Sequence, residues 1–127
     1  MSPAERGKTV LVVEDNQLER QGLSALLQQA GYSVISAADG KEALDCLQGR
    51  PPPDLMLLDM MMSRVDGWQI LRLLRRSPEL KSVLVIVITG LETASPEWAK
   101  SLGAMSLFRK PIEVPVLLEE IRRAVNS

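Results

Sequence analysis

Leu55-Met56-Leu57-Leu58-Asp59 is an apolar run closed by a carboxylate. Four large apolar residues in succession read as a strand buried on both faces. An ionised carboxylate at the end of such a strand is costly unless it is hydrated, paired or metal-bound. Two other stretches end in a similar way. Thr9-Val10-Leu11-Val12-Val13 runs into Glu14-Asp15, and Ser106-Leu107-Phe108-Arg109 runs into Lys110-Pro111. Three strand ends thus carry three carboxylates and a lysine. If the strands are parallel neighbours, these groups meet at one edge of a sheet. That is the makeup of a Mg²⁺ site beside a carboxylate nucleophile.

Working outward, the chain alternates short apolar runs with helical patterns. Asn16 starts a helix, with Glu19 three residues on as a capping-box partner. Leu23, Leu26, Leu27 and Ala30 share one face of that helix, and Gly31 stops it. Ser33 to Ala37 is a second strand. Asp39 caps the next helix, with Glu42 as its partner, and that helix ends near Gly49. Asp66-Gly67 opens a third helix, with Ile70, Leu71 and Leu74 inward and Arg72, Arg75 and Arg76 outward. Pro78 stops it. Val83 to Thr89 is the most β-branched strand. Ser95-Pro96 starts a short helix that Gly103 ends. Pro115 begins the last helix, with Val114, Leu117, Leu118, Ile121 and Val125 on one stripe.

Five β-α units in series imply an α/β fold, a parallel sheet with helices on both faces. Ligands in such sheets sit at the carboxyl ends of the strands. Glu14, Asp15, Asp59, Thr89 and Lys110 all fall there. Arg109 points opposite to Lys110 if strand geometry continues, and is expected to face solvent or a partner.

Composition narrows the chemistry. The 127 residues suit one domain, and 46% hydrophobic residues suffice for a core. Fifteen basic residues against 16 acidic give net −1, which argues against a general nucleic-acid or membrane-surface binder. There is no histidine, so Ser-His-Asp and Cys-His catalysis and histidine zinc sites are excluded. The single cysteine, Cys46, excludes an internal disulfide, suits a reducing cytoplasm, and reads as a small core residue. No apolar run reaches membrane-spanning length. Residues 1–8 read as a flexible lead-in to a domain over 9–127.

In their order and at these strand ends, Glu14-Asp15-Asn16, Leu57-Leu58-Asp59-Met60-Met61-Met62, Asp66-Gly67, Thr89-Gly90, Gly103-Ala104 and Lys110-Pro111 form a recognisable set. The chain resembles the receiver domain of two-component response regulators, the CheY-like fold. The resemblance spans about Lys8 to Asn126. It implies a doubly wound, flavodoxin-like three-layer sandwich with strand order 2-1-3-4-5 and five helices. It implies that Asp59 accepts a phosphoryl group from a phosphohistidine of a histidine kinase or histidine phosphotransfer protein. Asp15, Asp59 and the backbone carbonyl of Met61 are then Mg²⁺ ligands, with Glu14 acting mainly through water. Thr89 and Lys110 are phosphoryl-stabilising and switch residues, and Pro111 is cis. The face made by helix four, strand five and helix five then changes shape and signals to a downstream protein, and a homodimer through that face is one arrangement it allows. Such a domain assists its own phosphorylation but is not a turnover enzyme.

Three positions depart from the family pattern. Ser63 replaces a usual proline and Gly90 a usual alanine. Leu107 stands where an aromatic ring commonly swings inward as Thr89 moves. Phe108 is adjacent, but neighbouring strand residues point to opposite faces, so it is no substitute. Met61 and Leu91 are expected at the mouth of the site, where they would hinder an attacking water. The competing reading is a pseudo-receiver, an interaction module that keeps the fold without phosphorylation. A phosphatase of the Asp-x-Asp type fits less well, because Asp59-Met60-Met61 lacks the second carboxylate. With the last helix ending near residue 126, a stand-alone receiver or a piece of a larger regulator is expected.

Overall fold

Among the described residues, the apolar runs become five parallel strands, and the periodic segments that follow them become five helices. The order is β1 (Thr9–Val13), α1 (Gln17–Gln29), β2 (Ser33–Ala37), α2 (Gly40–Gln48), β3 (Leu55–Asp59), α3 (Gly67–Arg76), β4 (Leu84–Thr89), α4 (Pro96–Ser101), β5 (Ser106–Arg109) and α5 (Val114–Asn126). The computed structural model describes residues 7–48, 51–60 and 67–126. The strand order is β2-β1-β3-β4-β5, as the sequence implied. The expected roles of Gly49, Asp66, Met61, Met62 and Ser63, and of residues 1–6 of the lead-in, lie outside the described residues.

Period-two alternation divides the core into two layers. Val10, Val12, Leu55, Leu57, Ile86 and Ile88 face α1 and α5, where they meet Leu23, Leu27, Leu117 and Ile121. Leu11, Val13, Met56, Leu58, Val85 and Val87 face α2, α3 and α4, where they meet Leu47, Ile70, Leu74 and Ala99. Leu107 packs on the second layer and Phe108 on the first. The phenyl ring is therefore on the far side of the sheet from α4, as alternation requires.

Helix ends follow the local chemistry. The Asn16 side chain accepts the Glu19 N–H at 2.9 Å, and Asp39 accepts the Glu42 N–H at 2.9 Å. Ser95 caps α4 by accepting the Trp98 N–H at 3.1 Å. Gly31 and Gly103 adopt φ of 104° and 99°, a region that glycine enters without steric cost. Two boundaries shift by one residue, with β4 starting at Leu84 and α5 at Val114. One expectation fails. Glu19 does not close its capping box, because its carboxylate reaches Lys110 instead.

Gly67 has a role beyond starting a helix. A Cβ there would lie 2.5 Å from Met60 Sδ and 3.2 Å from Met60 Cα. The missing side chain lets α3 press onto the residue that follows Asp59. Gly67→Ala is expected to destabilise the protein by about 1–3 kcal/mol through overpacking, read as a lowered urea midpoint with unchanged slope.

Candidate functional site

The parallel register sets the carboxyl ends of β1, β3 and β5 at one edge of the sheet. Lys110, just beyond β5, places its Nζ 2.7 Å from Glu14 Oε1, 3.0 Å from Glu19 Oε2 and 3.2 Å from Asp59 Oδ2. Glu14 is wholly buried and Asp59 is 2% exposed. Charges this far from water persist only when paired. The Lys110–Pro111 peptide bond is cis. Asp15 is exposed, and carboxylate oxygens of Glu14, Asp15 and Asp59 lie within 4.8 Å of one another.

Alternation explains which groups meet. Glu14 continues the row of Val10 and Val12, Asp59 that of Leu55 and Leu57, and Lys110 that of Phe108. These rows face α1, which is why Glu19 can join them. Thr89 and Arg109 fall in the opposite rows, with Val87 and Leu107, toward α4. They are register partners across β4 and β5. Thr89 is fully buried, and its Oγ1 accepts the Leu91 N–H at 3.1 Å.

The electrostatics follow from burial. Desolvation pushes the Glu14 carboxyl up from 4.5 to about 7, against the opposing hydrogen bonds from Lys110 and the Asn16 N–H. Repulsion from Asp59 adds to the rise but is not its main cause, contrary to the emphasis on mutual repulsion that the sequence invites. Burial alone would lower the Lys110 pKa. Its hydrogen bonds to Glu14 and Glu19, with the charges of Asp59 and Glu14, more than reverse this and raise it. The ammonium is thus firmly charged, while Glu14 is poised to take up a proton near neutrality.

This acidic pocket at the carboxyl edge coincides with a sequence match. The response regulator receiver domain profile covers residues 10–122. The chain belongs to the response regulator receiver family. Receiver domains are signalling domains, and the fold agrees. The chain is 34% identical over 116 residues to the polar-differentiation response regulator DivK of Brucella anthropi, covering 91% of this chain and 94% of that protein. The chemotaxis protein CheY4 of Vibrio cholerae superposes with a TM-score of 0.81 at 32% identity, covering 92% and 98% of the two chains. The receiver domain of a DNA-binding response regulator from Colwellia psychrerythraea gives 0.85 at 27% identity, covering 94% and 99%. No helix among the described residues is long and apolar enough to cross a membrane.

Within this receiver, sequence reasoning missed two contacts. Glu19 is a third carboxylate partner of Lys110; its spacing from Asn16 had a sufficient local explanation as a cap. Arg109 is exposed, as expected, but its guanidinium also folds back onto its own chain. Its Nε donates to the Leu91 carbonyl at 3.3 Å, and its guanidinium also donates to the Ala94 carbonyl. The alternation of β5 was the available signal, since it sets Arg109 on the α4 side. Trp98 of α4 meets Trp68 of α3 edge to face, with ring centroids 5.3 Å apart and planes at 74°.

Proposed function

We propose that this receiver accepts a phosphoryl group on Asp59 from a phosphohistidine of a histidine kinase or histidine phosphotransfer protein. The observation that carries the reading is the single ammonium of Lys110 held by the two buried carboxylates, Glu14 and Asp59, with Asp15 at the rim.

The donor set suits Mg²⁺. Carboxylate oxygens are hard ligands, and a cluster in which burial drives one member to take up a proton near pH 7 lacks positive charge. Asp15 and Asp59 would hold the ion directly and Glu14 mainly through water. The carbonyl of Met61 is the further ligand proposed from the sequence. Bound there, Mg²⁺ supplies charge neutralisation for the transferring phosphoryl group.

The chain's own residues do the rest. Lys110 pairs with the Asp59 carboxylate and orients it. A carboxylate oxygen of Asp59 attacks phosphorus, the nitrogen–phosphorus bond of the donor breaks, and the neutral imidazole leaves. The aspartyl phosphate adds net negative charge and three acceptor oxygens. Lys110 then pairs with the phosphoryl group, and the Thr89 hydroxyl leaves the Leu91 N–H to donate to it. The two conformations shift in population, and the face of α4, β5 and α5 carries the change to a downstream protein. Leu18, 81% exposed and adjacent to Glu19 on α1, is an apolar contact for the donor. The domain assists its own phosphorylation and hydrolysis and turns over no external substrate.

Intact mass after incubation with acetyl phosphate tests this reading. The expected result is a Mg²⁺-dependent gain of one phosphoryl group, absent in Asp59→Asn. No gain from acetyl phosphate or from a phosphohistidine donor, under conditions where Mg²⁺ binds, would leave the pseudo-receiver reading.

A further inference from the structure

Thr89 and Arg109 hold opposite ends of one residue. Thr89 Oγ1 accepts the Leu91 N–H at 3.1 Å, and Arg109 Nε donates to the Leu91 carbonyl at 3.3 Å. The same guanidinium bonds to the Ala94 carbonyl, immediately before the cap of α4. Ser95 continues the chain of contacts by capping α4 at the Trp98 N–H. The segment from Gly90 to Ser95 is thus fastened to β5 by one side chain and to β4 by another.

We propose that Arg109 is a latch that holds the β4–α4 segment in its resting position, working in series with Thr89, and that its release is part of the switch. This rests on the phosphoacceptor reading above. Three observations favour a latch over an incidental contact. First, Thr89 and Arg109 are cross-strand partners on the same side of the sheet, so both act on one loop. Second, the planar fork of arginine lets two donors on one rigid group span carbonyls three residues apart, which a lysine ammonium cannot reproduce. Third, a Cβ added at Gly90 would meet no atom within 4 Å, so the loop has little packing of its own at that point.

The coupling follows. When Thr89 turns its hydroxyl to a phosphoryl oxygen, the Leu91 N–H loses its acceptor. The loop can then settle elsewhere only if the Leu91 and Ala94 carbonyls leave Arg109. The latch therefore favours the resting state and lowers the fraction of molecules in which Thr89 is free for the phosphoryl group. A group that stabilises one state only shifts the equilibrium by that difference. This device sits beside Leu107, where the usual aromatic is missing, and needs no ring.

The test compares phosphoryl uptake from acetyl phosphate in the unaltered protein, Arg109→Ala and Arg109→Lys, followed by intact mass. Uptake about fivefold faster is expected in Arg109→Ala, with an intermediate rate in Arg109→Lys. Amide hydrogen exchange at Leu91 and across residues 92–95 should accelerate in both unphosphorylated variants. A merely structural arginine would slow uptake along with a fall in the urea midpoint. Equal or slower uptake in the variants, with exchange at Leu91 unchanged, overturns the latch. Should Arg109→Ala fail to fold, the rate and exchange in Arg109→Lys decide. If the unaltered protein takes up no phosphoryl group from acetyl phosphate or from a phosphohistidine donor, the phosphoacceptor reading itself has failed, and the exchange comparison alone still shows whether Arg109 fastens the loop.

Discussion

Lys110→Ala is expected to destabilise the metal-free protein by roughly 2–3 kcal/mol at pH 8, and by clearly less at pH 6. The ammonium is the cation shared by Glu14, Glu19 and Asp59, and two of those carboxylates are almost out of reach of water. Removing one partner of a buried pair leaves uncompensated charge, which generally costs about 3–5 kcal/mol; the 23% exposure of the Lys110 side chain reduces that. The pH dependence comes from Glu14. Its carboxyl is raised from 4.5 to about 7 on folding, so the folded state holds that proton more tightly than the unfolded chain. The stability this brings is complete below pH 4.5 and is lost as pH rises through about 7. Without Lys110 the carboxyl rises further, and protonation at pH 6 relieves part of the damage. Urea midpoints at the two pH values check this. An equal loss at both would mean that the lost ion pair acts through packing and not through charge.

The second large effect is on metal affinity. Mg²⁺ binding should weaken about tenfold for each pH unit below about 7, because the proton on Glu14 must leave as the ion enters. At a hundred times its dissociation constant, the ion should stabilise the fold by about 2.7 kcal/mol. Calorimetric titration between pH 5.5 and 8, beside thermal melts with and without chelator, measures both. A Mg²⁺ affinity that stays flat across this range would show that Glu14 is not linked to the ion. Glu14→Gln should flatten the profile while weakening binding at pH 8.

Much of this is legible in the sequence. Five apolar runs separated by helical patterns imply one doubly wound sheet, and parallel strands bring their carboxyl ends together. Glu14, Asp15, Asp59 and Lys110 could therefore be brought to one edge from position alone, while Thr89, at the end of the neighbouring strand, is engaged with the Leu91 N–H. The remainder depended on side-chain reach. Glu19 matches a capping box, and nothing local says that its carboxylate turns to a lysine 91 residues away. The face that Arg109 occupies follows from strand alternation, but the approach of the Leu91 and Ala94 carbonyls depends on how the loop folds back. Gly67 looks like an ordinary helix start until Met60 is found pressed against it. The proton affinity of Glu14 depends chiefly on burial depth, which spacing does not report.

The contact between Trp68 and Trp98 has a practical consequence. These are the only two tryptophans in the chain, and they meet across α3 and α4. Ultraviolet emission from this protein therefore comes almost wholly from the seam beside the loop that Arg109 fastens. The chain carries its own optical gauge of how α4 is seated, readable in real time without a dye, a label or an engineered probe.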